Sequence, residues 1–174
     1  MGTNPSHFRG KTNSVESVSW GDAQMFCKKL TEQTKQTVRL PTEAEWEYSC
    51  RAGTRTAYYS GDTEKDLDRV AWNSANSKNT THPVGQKEAN VFGLYDMHGN
   101  VWQWCDDFWG DYPKEAAIDQ KGPLKGFIRV LRGGSWDSDP GYCRSALRNL
   151  SDSGNRDVNN GFRVVVVSVS SRTP

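Results

Sequence analysis

The 174-residue sequence has no long apolar run. Its mean hydropathy is −0.80, and its longest aliphatic stretch is Val164–Val167. A membrane-crossing helix needs about 20 apolar residues, so the chain is expected to be soluble, without membrane insertion. The opening MGTNPSHFRG has no apolar core, so no signal peptide is expected. An excess of either charge is also missing. Lys and Arg number 22 against 21 acids, a net charge of +1, which removes the electrostatic footprint of a nucleic-acid binder. Cysteine is scarce: the four residues Cys27, Cys50, Cys105 and Cys143 show no CxxC spacing, which argues against zinc. His7, His82 and His98 stand singly, and no GxSxG, phosphate-loop or GxGxxG pattern occurs.

A further absence is local. From Asp137 to Phe162 there is no Lys, Glu, Gln, Met or Trp. Those types supply roughly one residue in five of the chain, so about five would be expected there. They are also the types that an asparagine codon AAC or AAT cannot become when only its adenines are changed. An ordinary surface loop rich in Gly, Ser and Asx would show a similar bias.

What the chain does contain fits one domain, residues 1–174, with two helical patterns, short strands and long polar loops. Seven Trp and six Tyr carry much of the core, and their N–H and O–H groups need partners. Val15–Trp20 reads as a short strand entering a helix capped by Ser19, with Asp22 at the capping-box position. Ala23, Phe26, Cys27 and Leu30 then recur at helical spacing. Thr42 with Glu45 opens a second helix, whose Trp46 and Cys50 face inward and which Gly53 ends. Residues 54–92 read as one long loop. Strands are expected at Val101–Cys105, Phe127–Arg132, Tyr142–Arg148 and Phe162–Val169, the last buried around Val164–Val167; Asp106–Lys125 is loop.

Two sets of residues invite chemistry. The cysteines could be plain core residues, or form a disulfide across distant segments, with three connectivities open if all four pair. Between Asp96 and Gln103, oxygens of Asp96, Gly99, Val101 and Gln103 could converge on a hard cation such as calcium; a simple Asx-Gly turn is the plainer reading.

Several motifs stand in order: Asn4-Pro5-Ser6-His7-Phe8, Val18-Ser19-Trp20, Arg39-Leu40-Pro41-Thr42-Glu43-Ala44-Glu45-Trp46, Gly93-Leu94-Tyr95-Asp96-Met97-His98-Gly99-Asn100-Val101-Trp102-Gln103-Trp104, Arg132-Gly133-Gly134-Ser135-Trp136, Cys143-Arg144-Ser145-Ala146 and Gly161-Phe162-Arg163. Together they resemble the formylglycine-generating enzyme (sulfatase-modifying factor) family over nearly the whole chain. The resemblance implies an α+β, C-type-lectin-like fold of the formylglycine-generating enzyme subfamily, with two helices, short antiparallel strands and much irregular loop. It also implies a peptide-cysteine oxidase with a copper-binding cysteine pair just after the Gly-Gly-Ser-aromatic motif. Here Ser138 takes the first place of that pair. Cys143 would take the second without gaps, but it matches the family's other cysteine better. A lone thiol does not make the two-thiolate site that Cu(I) favours, so no copper and no oxidase activity are expected. The same matching implies a Cys50–Cys143 disulfide, a free Cys27, and a calcium ion on Asp96, Gly99, Val101 and Gln103.

Within that family, variable proteins of diversity-generating retroelements resemble this chain more sharply. Their scaffold letters RGGSW, CRSA and NNGFR persist between Arg132 and Arg163, while their asparagine places hold codon-accessible replacements. This implies a non-catalytic, ligand-binding protein displayed on a cell or virion surface. Its variable region is 132–163, and its contact residues are Asp137, Ser138, Asp139, Gly141, Tyr142, Leu147, Leu150, Ser151, Asp152, Asp157 and Val158. The implied partner is a protein or another surface ligand, with Tyr142 as anchor because rigid aromatics give contact area at low entropy cost.

Overall fold

A computed structural model describes residues 3–112, 115 and 120–167. The ends of the expected domain, the last residues of the Phe162–Val169 segment and part of the Asp106–Lys125 loop lie outside the described residues.

The first helix, α1 (Trp20–Thr34), begins where the capping signal places it. The Ser19 hydroxyl accepts from Asp22 N at 3.1 Å, and the Asp22 carboxylate accepts from Ser19 N at 2.9 Å. Two orphan N–H groups of the helix start are thereby satisfied. No strand precedes it. Ser17 adopts a left-handed φ of 60° and its N–H bonds to Asp157 O, so the expected Val15–Trp20 strand is irregular backbone tied to the far end of the chain. Helix α2 (Glu43–Arg51) repeats the capping device with Thr42 and Glu45. It ends on Ala52, left-handed at φ 45°, followed by Gly53 at φ 94°.

The 54–92 segment contains a third helix, α3 (Glu64–Val70), which corrects the count of two. Its signal was local: Thr63 and Asp66 form another capping box, and Leu67 and Val70 are buried one turn apart.

The strands are β1 (Thr37–Arg39), β2 (Ala71–Trp72), β3 (His98–Gly99), β4 (Trp102–Phe108), β5 (Ile128–Arg132), β6 (Arg148–Asp152), β7 (Asn160–Gly161) and β8 (Val165–Val167). Four of them form the central sheet in the order β6-β5-β4-β7. Pairing is mixed rather than purely antiparallel: β4–β7 and β2–β3 run parallel. Where a strand was expected at Tyr142–Arg148, the chain makes a 3-10 turn over Pro140–Cys143 and enters β6 only at Arg148. The valine run does not form a buried strand. Among the described residues β8 pairs with β1 alone, and Val166 and Val167 are exposed to 49% and 37%. Among the described residues no helix is long and apolar enough to cross a membrane.

Side-chain alternation divides the core across this sheet. Trp104 and Leu131 pack with Ala23, Cys27 and Leu40 on the α1 side. Cys105 and Val130 pack with Trp46, Cys50 and Met97 on the α2 side. A third cluster, Tyr58, Leu67, Val70, Ala71 and Cys143, seats α3 under the 3-10 turn.

At the end of β5, fully buried Arg132 meets Glu47 and lies 3.4 Å from Glu43 Oε1. It also donates to Ser145 O at 2.7 Å and Ala146 O at 3.3 Å. Glu43 is held from its other side by Arg148, at 2.6 and 2.8 Å. Removing one member of such a buried set leaves the others uncompensated. Arg132→Met is expected to lower the unfolding free energy by about 3–5 kcal/mol, measured by urea denaturation.

Candidate ligand-binding surface

The segment 132–163 opens on two glycines that the turn requires. Gly133 and Gly134 have φ of 100° and 78°. A Cβ on Gly134 would come within 2.5 Å of Cys143 Sγ. Trp136 then anchors the loop. Its N–H donates to Asn100 O at 2.9 Å, its indole N–H to Val158 O at 3.2 Å, and Phe8 packs edge-on against it at 5.3 Å.

The framework holds this segment chiefly by its main chain. Ser74 N donates to Ser138 O, Ser77 Oγ to Trp136 O and the Tyr58 hydroxyl to Pro140 O. Ser17 N donates to Asp157 O, Trp20 N to Ser153 O and Trp102 N to Asn159 O. Arg132 reaches the carbonyls of Ser145 and Ala146. A backbone carbonyl accepts in the same way whatever side chain its residue carries.

The structure sorts the eleven expected contact residues. Asp137, Asp139, Gly141, Tyr142, Leu150, Asp152 and Asp157 are exposed, Tyr142 to 56% and Leu150 to 44%. Ser151 and Val158 are half-buried. Two do not fit a surface role. Ser138 is buried, with its hydroxyl 2.7 Å from Ser135 Oγ and accepting from Ser135 N at 3.0 Å. Leu147 is half-buried and packs on the core cluster under α1.

The exposed residues sit on different elements. Asp137, Asp157 and Val158 lie beside Trp136 and β7, while Asp139, Gly141 and Tyr142 lie on the 3-10 turn and its cap. Asn159 Nδ2 bonds to the Asp137 carboxylate at 2.9 Å, and Ser74 Oγ bonds to Asp139 at 3.1 Å. Leu150, Ser151 and Asp152 lie on β6, the edge strand of the sheet opposite β7. Within β6, Leu150 and Ser151 point to opposite sides, because side chains alternate. Asn149 caps the Leu150 N–H at 2.9 Å and the Asp152 carbonyl accepts from Asn155 N, which occupies part of this edge. Sequence reasoning missed Ser74, which sits beside Asp139 through folding alone. It also missed Asn159, whose place beside the Gly161-Phe162-Arg163 motif was the available signal.

All four cysteines are buried free thiols, so the implied Cys50–Cys143 disulfide is corrected. Cys50 Sγ lies 3.8 Å from His98 Nε2 and 3.7 Å from Ser145 Oγ, while Cys143 packs in the separate cluster under α3. Burial pushes both thiols up to about 12. With Ser138 bonded to Ser135 and Cys143 held protonated, these residues do not fit a copper dithiolate.

Asp96, Gly99, Val101 and Gln103 do line one pocket, together with Arg163. The oxygens of Asp96 and Gln103 are already engaged. Gln103 Oε1 accepts from Trp46 Nε1 at 2.7 Å and Arg163 Nε at 2.5 Å. Asp96 O accepts from Gln103 Nε2 at 2.9 Å and Arg163 Nη2 at 3.1 Å. The Asp96 carboxylate accepts from Gly85 N at 2.8 Å and lies 3.4 Å from Asn100 Nδ2. A guanidinium on Gln103 Oε1 opposes a second cation at that atom, so Gln103 as placed does not fit calcium. No cluster of three His, Cys, Asp or Glu among the described residues is placed to hold a metal.

Comparison with known proteins places this arrangement. Residues 1–168 match the family described as Sulfatase-modifying factor enzyme 1-like domain. The solved structure of Treponema denticola variable protein 1 is similar, with a TM-score of 0.90 and 33% identity, covering 94% of this chain and 77% of that one. Formylglycine-generating enzyme of Mus musculus is 33% identical over 93% of this chain, which spans only 46% of that protein. Major Tropism Determinant U1 variant shares the fold at TM-score 0.52 and 20% identity, covering 85% of this chain and 37% of that one.

A reductant is expected to leave the melting temperature unchanged to within about 1 °C. Loss of a native disulfide would cost about 2–5 kcal/mol, or roughly 5–15 °C in a chain this size. Differential scanning with and without dithiothreitol checks this.

Proposed function

Because the chain belongs to the formylglycine-generating enzyme (sulfatase-modifying factor) family, we propose that it uses that scaffold without the family's oxidation chemistry. It is a non-catalytic ligand-binding protein whose surface side chains between Asp137 and Val158 are diversified by a retroelement. The observation that carries this reading is the main-chain anchoring of the segment. Framework donors hold the carbonyls of Trp136, Ser138, Pro140, Ser153, Asp157 and Val158, so neighbouring side chains can change without loosening the loop. The missing Lys, Glu, Gln, Met and Trp between Asp137 and Phe162 and the likeness to Treponema denticola variable protein 1 support it. The contact group is Asp137, Asp139, Gly141, Tyr142, Asp157 and Val158, with Tyr142 as the aromatic anchor. Its partner is a protein or other surface ligand, met by a chain displayed on a cell or virion.

The alternative, a peptide-cysteine oxidase, draws on the name of relatives such as the mouse enzyme. Ser138 stands where that chemistry needs a thiolate. Copper-dependent oxygen consumption with a cysteine-containing peptide would favour the oxidase.

Sequencing the DNA that flanks the gene is expected to reveal a near-copy of the Arg132–Arg163 coding region, with AAC or AAT at the Asp137, Tyr142 and Val158 codons. A locus with neither that copy nor a reverse-transcriptase gene sinks the diversified-binder reading. Separately, a variant with Asn at Asp137, Asp139, Tyr142, Leu150 and Asp157 together is expected to lose less than about 2.5 kcal/mol of stability, from five surface changes of about 0.5 each at most. Chemical denaturation measures it.

A further inference from the structure

Five arginines lie between Arg132 and Arg163, and four are committed to the fold. Arg132 and Arg148 meet Glu43, Arg156 pairs with Asp22, and Arg163 is bonded to Gln103 and two carbonyls. Arg144 is the exception. It is exposed, and among the described residues its Nε alone has a partner, Gly141 O at 2.9 Å. Asp139, at the head of the 3-10 turn, forms no ion pair with it and instead accepts from Ser74 Oγ. The backbone beneath Arg144 is fixed. Cys143 and Ser145 on either side are fully buried. Ser145 N donates to Ala57 O at 2.8 Å, Ser145 O accepts from Arg132 at 2.7 Å, and Arg144 O accepts from Leu147 N at 3.0 Å. A long cationic side chain loses much rotamer freedom on binding; here the bond to Gly141 O has already restricted it and laid the guanidinium alongside Gly141 and exposed Tyr142.

We propose that Arg144 is a constant contact of the ligand-binding surface: beside the variable Gly141 and Tyr142, its guanidinium takes an Asp or Glu carboxylate of a protein partner. With Nε held by Gly141 O, the two terminal nitrogens are left to make parallel bonds to one carboxylate, the planar fork by which arginine recognises that group. Tyrosine and arginine are also the side chains that most often dominate binding at protein interfaces. Arg144 belongs to the Cys143-Arg144-Ser145-Ala146 scaffold letters and not to the asparagine places. Variants of this surface therefore keep the one charge while residues 141 and 142 change around it, so their partners share an acid and the neighbours choose among acidic partners. This inference rests on the ligand-binding reading above.

A library of random peptides displayed on phage and panned against the intact protein supplies the probe. The recovered peptides are expected to share an Asp or Glu. Calorimetry with the synthesised peptides is expected to give a Kd roughly tenfold higher for Arg144→Gln and a smaller loss for Arg144→Lys. Replacing the peptide's acid by its amide should weaken the wild type by the same factor and leave Arg144→Gln unchanged. Arg144→Gln is expected to melt within about 2 °C of the wild type, because the side chain is exposed; if it melts lower, Arg144→Lys takes its place in the comparison. Equal affinity of the wild type and Arg144→Gln for peptides that Tyr142→Ala weakens overturns the Arg144 contact alone. If Tyr142→Ala also binds them unchanged, the contact surface has failed with it. A library that yields no acidic binder overturns the proposal as well.

Discussion

The structure depends first on the burial of Arg132. Its guanidinium is shut away from water among Glu43, Glu47 and two backbone carbonyls. Bringing such a charge indoors is costly unless nearly every donor finds an acceptor. That requirement fixes several parts at once. Helix α2 must present Glu43 and Glu47 one turn apart, β5 must end at Arg132, and the chain beyond the 3-10 turn must bring Ser145 and Ala146 within reach. Arg148 then shares Glu43, which sets the start of β6. One ion-pair set thus joins a helix, two strands and the entry to the surface segment.

The same economy of contacts explains how this surface can vary. Stability is lodged in the framework and in main-chain hydrogen bonds, while most side chains around Trp136 face water. Antibody loops divide their labour similarly, with rigid aromatic anchors among small adaptable polar residues. Tyr142 among Asp, Ser and Gly matches that composition. Codon accessibility and exposure are nevertheless different properties. Ser138 and Leu147 are both codon-accessible, but one hydroxyl completes a buried pair with Ser135 and the other side chain fills a gap under α1. Substitution at those two places acts on the fold before it acts on a ligand.

Departures from family expectation have a common cause in partner identity. A disulfide needs two sulfurs aimed at each other, and Cys50 instead faces an imidazole and a hydroxyl. A calcium site needs free oxygens, and here a guanidinium and an indole N–H hold that of Gln103. A copper pair needs two thiolates, and Ser138 supplies a hydroxyl. At Cys50 the residue type survives from the motif with other neighbours, whereas at Ser138 the residue type itself has changed.

By itself the sequence determined the features whose causes are local. Helices α1 and α2 were legible because their capping boxes and apolar spacing lie within one or two turns. α3 carried the same signal at Thr63 and Asp66 and was overlooked under the polar composition around it. The glycine pair, the strand leading to it and the ordered motifs of the family were equally legible. Tertiary structure decided whatever depends on residues far apart in the chain. It set the parallel pairing of β4 with β7, the spread of the contact residues over different elements, the free thiols, the nearness of Ser74 to Asp139, and the meeting of Arg163 with Gln103. The physical reason is that a side chain's exposure, charge partner and hydrogen bonds are properties of its surroundings, and those form only when segments some sixty residues apart are packed together.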